Sequence, residues 1–388
     1  MRAHGPSFAM SLVLGLILGG GGSPDPTTAV PAPTGVVSNG CAGRVLARLS
    51  LPQQVGQLIV AGVSSTAPTS AQLRVIRRHH LAGAILTGTS YRGVTATRRV
   101  TRRLQAQVSA TTTGRVRLWT AVDQEGGNVQ VLRGPGFSDI PTALDQGRLA
   151  ADTLRSRANR WGSQLRKAGI NLDLAPVLDT VPARLGTDNS PIGFYYREYG
   201  HRPVRVARHG AAFRDGMQAA GVQNVAKHFP GLGRVRDNTD TTAYVLDRIT
   251  TRHDGYLRPF RRAVADGIPV VMVSSAHYAK IDRRHVAAFS TTVMRGMLRH
   301  DLGFGGVIMS DDLGAAAAVQ AVPVGLRAVR FISSGGTVVL TVDASTVPAM
   351  SSAVLRRARQ DSSFRALVSA NALRVLRVKR QMGLLPCG

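Results

Sequence analysis

Eight short apolar segments recur along this chain, and between them the spacing of apolar residues changes to that of a helix. Few folds accept such an alternation. The segments are QLIVAGV (57–63), GAILTG (83–88), RLWTAVD (117–123), INLDLAPVLD (170–179), VQNVAKH (222–228), PVVMVSSAH (269–277), GGVIMSD (305–311) and TVVLTVDA (337–344). Several are nearly continuous hydrophobic runs, which suits strands of a parallel sheet buried on both faces. The intervening stretches QLRVIRRHHL, RLAADTLRSRANRWGSQLRKAG, RPVRVARHGAAFRDGMQAAG and GYLRPFRRAVADG carry apolar side chains at intervals of three and four. Three of them end on Gly, a usual helix stop. LGAAAAVQAV (313–322) fits a helix after the seventh strand. The pattern predicts an α/β fold, a single (β/α)8 barrel of the TIM type; a doubly wound open sheet is the alternative.

Polar residues favour the barrel. Asp123, Asp179, Lys227, His228, His277, Asp311 and Asp343 all fall at or just past the C-terminal ends of predicted strands. In a barrel those ends converge on one face, where active sites form. Any single strand-end Asp is more often a turn or helix cap. Seven polar residues in one register are harder to read that way.

The rest of the chain bounds the setting. Residues 1–24 read as an export signal, with Arg2 ahead of an apolar run too short for a comfortable membrane span. Residues 25–40, rich in Pro, Thr, Ser and Gly, read as a flexible tether, which leaves 41–388 for the barrel domain. The expected location is outside the cytoplasm, extracellular or at the cell envelope. Cys41 and Cys387 are the two cysteines, one at each end of that domain. An even count in an exported chain predicts a disulfide, worth roughly 4–5 kcal/mol in the chain-entropy picture. Formal net charge is +27 and most of the basic residues are Arg. They are scattered over many predicted helix faces, and aromatics make up only 5%. That argues against a nucleic-acid partner; a solvated Arg-rich surface is the plain reading, and attraction to an anionic cell envelope the functional one.

Several chemistries lack their signals. No HxxxH falls on a predicted helix, no GxxxxGK(S/T) loop occurs, and no serine sits in a nucleophile elbow. No metal or cofactor is expected. Carboxylates are the better lead. Asp311 and Asp312 end a predicted strand, where a partly buried, fixed carboxylate suits a nucleophile. Asp240 sits on a Gly-rich loop after the fifth strand, in AKHFPGLGRVRDNTDTT (226–242), and is placed to serve as an acid. Retaining glycosidases need two such groups about 5–5.5 Å apart. Asp312 reads instead as a cap on the strand-to-helix turn. Asp179 either binds sugar or anchors the loop after it, and His277 is equally a sugar contact or a structural strand-end residue.

The stretches VDQEGGNVQVLRGPGF (122–137), NLDLAPVLD (171–179), AKHFPGLG (226–233) and GFGGVIMSDDLG (303–314) resemble glycoside hydrolase family 3, and within it the bacterial β-N-acetylglucosaminidases that act on cell-wall fragments. LSLPQQVGQLIVAGV (49–63) and FSTTVMRGMLRHDLGF (289–304) are similar to that family too, and the likeness runs in order from about Ser50 to the C-terminus. The resemblance implies a (β/α)8 barrel, a covalent glycosyl-Asp311 intermediate, and sugar contacts from Asp123, Lys227, His228 and Arg197. It implies a GlcNAc-containing carbohydrate as substrate, acted on by a monomer.

Two departures matter. Where the family's sugar-processing branch carries Asp-Ser-His or Asp-Thr-His, its His the acid/base and its Asp the orienter, this chain reads Asn238-Thr239-Asp240. The Arg expected in DQEGGxVQR is Val131, with Arg133 two residues on as a partial substitute. Asp is the ordinary acid/base of retaining glycosidases and needs no charged orienter. Three readings therefore stand: a β-N-acetylhexosaminidase with Asp240 as acid/base, a silent sugar- or wall-binding homologue, and a family 3 glycosidase for another sugar.

Overall fold

Each predicted apolar segment contributes one strand to a closed parallel barrel in the computed structural model, which describes residues 40–387. The strands are β1 (Ile59–Ser64), β2 (Gly83–Thr87), β3 (Trp119–Val122), β4 (Leu172–Asp173), β5 (Gln223–Phe229), β6 (Val270–Val273), β7 (Val307–Asp312) and β8 (Val338–Thr341). Each pairs in parallel with the next, and β1 closes on β8 through Ile59 opposite Val339. The open-sheet alternative is thereby set aside. Val, Ile, Leu and Met of the strands are buried on both faces, against the barrel interior and the surrounding helices. The export signal and the tether lie outside the described residues.

The helices follow the periodicity. Ser70–Arg78, Ala151–Lys167, Pro203–Ala219, Arg258–Ala265 and Ser362–Gln381 lay their apolar stripes on the barrel. Gly221 (φ 79°) and Gly267 (φ 77°) follow two of them in the left-handed conformation that ends a helix cheaply only at Gly. Cys41 is disulfide-bonded to Cys387, with Cα atoms 6.0 Å apart, so the first helix (Cys41–Arg48) is tied to the chain beyond the last one.

Two local expectations change. The fourth segment pairs regularly only at Leu172–Asp173, because Pro176 has no N–H to give a ladder; pairing returns as a single bridge, Val177 with Lys227. The Ala-rich stretch 313–322 holds only one 3-10 turn, Ala317–Val319, and the α-helix begins at Val324. Its amides are engaged elsewhere. The Asp312 carboxylate accepts from the amides of Gly314, Ala315 and Ala316, while those of Ala317 and Ala318 donate to carbonyls of the 238–240 loop.

Candidate active site

The C-terminal ends of the strands surround a cleft of about 440 Å³. Its lining brings together Asp123, Arg197, Lys227, His228, Asp240 and Asp311, six of the eight residues that the sequence offers for catalysis and binding. They come from three barrel strands, β3, β5 and β7, or the loops just beyond them, plus the loop before Pro203. Among the described residues no cluster of His, Cys, Asp and Glu is arranged to hold a metal ion.

One wall is a charge network built outward from Glu125. This residue turns inward on the short hairpin after β3. Arg197 grips it in a fork, with Nε donating to Oε2 and Nη2 to Oε1, both at 2.8 Å. Nη1 of the same guanidinium donates to the Pro191 carbonyl at 2.8 Å. Lys227 reaches across from β5 and places Nζ 2.6 Å from Glu125 Oε1 and against Asp123 Oδ1. Burial pushes the Glu125 carboxyl up, but the charges of Arg197 and Lys227 outweigh it and hold the group down to about 2. Burial opposes the charge on Lys227 too, and Asp123 and Glu125 overcome it, raising its pKa. Beneath this network lies Asp173, wholly buried, accepting from the Gln124 amide at 3.0 Å. Desolvation drives it up to about 8, so it is an acid that stays protonated at neutral pH.

Glu125 fixes the cations that face the cleft. Replacing it with Gln leaves Arg197 and Lys227 buried with only Asp123 to share. Glu125→Gln is expected to lower the unfolding free energy by about 3–5 kcal/mol at pH 7, read from urea melts. Because folding depresses this carboxyl, its contribution is complete above the ordinary carboxylate range. It is lost as pH falls through about 2.

A second buried pair orients His228. Its Nδ1 lies 2.7 Å from Asp179 Oδ2, and Asp179 also accepts from the amides of His228 and Leu232. The ring is thereby turned so that Nε2 faces Arg197 Nη2 at 3.5 Å. Asp179 itself is fully buried and absent from the cleft lining, so it positions His228 and the following loop.

The opposite wall carries the two candidate catalytic carboxylates. Asp311 is the penultimate residue of β7, and one of its oxygens accepts from the Asp312 amide at 2.9 Å. Asp312 borders the cleft with both oxygens spent on the backbone: they accept from the amides of Gly314, Val342, Ala315 and Ala316, which makes it the cap expected of it. Asp240 enters from the loop after β5. Asn238 Oδ1 accepts from the Asp240 amide at 2.9 Å, so Asn238 shapes the backbone of the loop. The Thr239 and Asp240 carbonyls accept from Ala318 and Ala317, each at 3.1 Å, which docks this loop on the one that follows Asp311. The Asp240 side chain opens onto the cleft, yet protein crowds that opening. Desolvation and then the charge of Asp311 push its carboxyl up to about 6.

Two other expectations move. His277 does not line the cleft; it lies beyond β6, half-buried, its ring 4.7 Å from that of Tyr244. It belongs to a small outer sheet with Leu246–Asp247 and Asp282–Val286. Arg133 does not stand in for the missing arginine either: it donates to the Gly127 carbonyl and pairs with Asp139 at 3.4 Å, while Val131 packs on the core. Glu125 and Asp173 are the important residues that sequence reasoning passed over. Both stand inside quoted motifs, two residues from Asp123 and six from Asp179; for Asp173 a carboxylate inside an apolar strand was the available signal.

The sequence profile described as "Glycosyl hydrolase family 3 N terminal domain" matches residues 50–378. A beta-hexosaminidase of Stenotrophomonas maltophilia is 32% identical over 327 residues, covering 81% of this chain and 92% of that protein. The beta-hexosaminidase LpqI of Mycobacterium tuberculosis is 28% identical over 368 residues, 92% of this chain and 89% of its own. Among solved structures, the beta-N-acetylhexosaminidase of Beutenbergia cavernae superposes with a TM-score of 0.85 at 47% identity, over 86% of this chain and 99% of that one. A closed barrel with its polar residues at the strand C-termini, and a profile match across most of its length, make this chain a member of glycosyl hydrolase family 3.

Proposed function

We propose that this chain is an exported, retaining β-N-acetylhexosaminidase that removes terminal β-linked GlcNAc from peptidoglycan-derived or related glycans. The observation that carries the reading is the pairing in one cleft of a strand-held carboxylate, Asp311, with Asp240, whose carboxyl is raised to about 6. The similar proteins named above, hexosaminidases all, supply the sugar. The Cys41–Cys387 disulfide supports export, because such bonds persist in oxidising compartments.

In this mechanism an Asp311 oxygen attacks the anomeric carbon while Asp240 gives its proton to the departing glycosidic oxygen. The C–O bond to the leaving alcohol breaks as the ester to Asp311 forms. Asp240, now ionised, takes a proton from water, whose oxygen displaces Asp311 and restores both groups. Two inversions leave the β configuration unchanged. Asp123, Lys227, His228 and Arg197 hold the sugar hydroxyls from the opposite wall, with charge-assisted bonds that fix the ring between the two carboxylates.

The test is to incubate the protein with 4-nitrophenyl β-GlcNAc and with a GlcNAc-terminated muropeptide, and to follow the first-formed GlcNAc anomer by proton NMR. Release of β-GlcNAc ahead of mutarotation is expected. First formation of the α anomer rules out the retaining mechanism. Saturable muropeptide binding with no product, from folded protein, replaces it with a binding function.

A further inference from the structure

A second depression, of about 310 Å³, opens at the other end of the barrel, where strands begin. Pro269 and Gly306, the residues just before β6 and β7, form part of its wall, and Arg374 and Arg377 of the helix Ser362–Gln381 form another. No Asp or Glu lines it. Arg374 is half-buried and donates to Asn371 Oδ1 at 3.0 Å, a neutral acceptor; Arg377 is exposed and in no ion pair among the described residues. The carboxylates next to the lining in sequence, Asp266 and Asp301, are already engaged, the first by Arg214 and Arg262 and the second by Arg252.

A third guanidinium stands behind the wall. Arg299 lies 5.4 Å from the ring centre of Phe304, a lining residue. It donates to the Phe304 and Gly306 carbonyls, both at 2.6 Å, and to Thr337 Oγ1 at 3.2 Å, all of them uncharged. Burial and then the charge of Arg374 bring Arg299 down to about 10. Burial and then Arg377 lower Arg374 in turn. Three cations thus press on one another around a concave surface with no anion among them. A half-buried charge without a counter-ion is an expensive arrangement. Other arginines with no ion pair among the described residues, such as Arg98, Arg99 and Arg102, are exposed on the helix Gly93–Gln105, where solvent and salt screen them.

We propose that this depression is a binding site for a phosphate-type oxyanion held between Arg374 and Arg377, carried either as free phosphate or as a phosphodiester of an anionic polymer. Guanidinium forks match the paired oxygens of a phosphate, and two of them converge here. The floor leaves room: a Cβ added at Gly303 or Gly305 meets nothing within 4 Å. The site lies at the opposite end of the barrel from the carboxylates, so filling it neutralises the cluster without touching the cleft.

The test is thermal unfolding of the whole protein in KCl, inorganic phosphate or a soluble poly(glycerol phosphate), all at matched ionic strength. At about a hundred times its Kd, phosphate is expected to raise Tm by roughly 2–4 °C above KCl. Arg374→Gln/Arg377→Gln is expected to lose that rise and, in KCl, to melt no lower than the parent, because the repulsion has gone. Arg98→Gln/Arg102→Gln, which removes the same charge from an exposed helix face, is expected to keep it. Tighter binding of poly(glycerol phosphate) at equal phosphorus identifies the polymer as the source, and equal binding identifies free phosphate. A rise unchanged in the Arg374/Arg377 double variant, or reproduced by KCl, overturns the proposal. Should that variant fail to fold, the exposed Arg377→Gln carries the test alone, and an undiminished rise there is equally fatal.

Discussion

Asp311→Asn is expected to lower kcat on 4-nitrophenyl β-GlcNAc by a factor on the order of 10^4–10^6, the scale on which enzymes lose rate when their nucleophile is removed. The amide has the carboxylate's shape but lacks the charge that attacks carbon. Its Oδ1 still accepts from the Asp312 amide, so the end of β7 keeps its conformation. The neighbour supplies the contrast. Asp312→Asn cannot offer the same charge to four backbone amides and is expected to weaken folding more than chemistry. Steady-state rates beside thermal melts separate the two. An Asp311→Asn enzyme that keeps more than about a tenth of the parent rate removes Asp311 from the nucleophile's role.

Asp240→Asn has the second largest expected effect, and its size depends on the substrate. A general acid contributes roughly 10^2–10^4 where the leaving oxygen needs its proton. Muropeptides and alkyl glycosides are therefore expected to lose that much in kcat/KM, and nitrophenyl glycosides far less. The pH profile gives an independent reading. Asp240 works in the first step only when protonated, so parent kcat/KM on a poor leaving group falls as pH rises through about 6. That limb disappears in Asp240→Asn. Since Asp311 is the second cause of the upward shift, taking away its charge lowers the Asp240 pKa, and carboxyl carbon-13 NMR of Asp311→Asn reports it. An alkaline limb retained in Asp240→Asn assigns the acid to another residue.

The barrel was legible because its signal is local: buried parallel strands write themselves as runs such as VVMV and AILT, and helices as intervals of three and four. The convergence of strand ends is a property of the closed fold, so Asp123, Lys227 and Asp311 could be grouped before any coordinate was known. The rest depends on partners far along the chain. Glu125 matters through Arg197, 72 residues away, and through Lys227 on another strand. Asp179 shares the register of the cleft residues but faces inward, behind His228, a choice that rotamer and packing make. His277 sits at a nominal strand end, yet β6 stops at Val273 and the chain has turned outward before reaching it. The Ala-rich run failed as a helix because Asp312 and the 238–240 loop claim its amides first.

The 238–240 loop is held by main-chain groups: two of its carbonyls grip the backbone beyond Asp311, the Asn238 carbonyl accepts from the amides of Thr241 and Thr242, and the Asn238 side chain contributes an oxygen that Asp presents as well as Asn. It is a socket indifferent to what is plugged in at 240. A lineage can exchange an imidazole for a carboxyl there, and an aspartate for an asparagine two residues earlier, in either order, with the frame intact at each step. Residue 240 is then a replaceable part, and a change there need not pass through a misfolded ancestor.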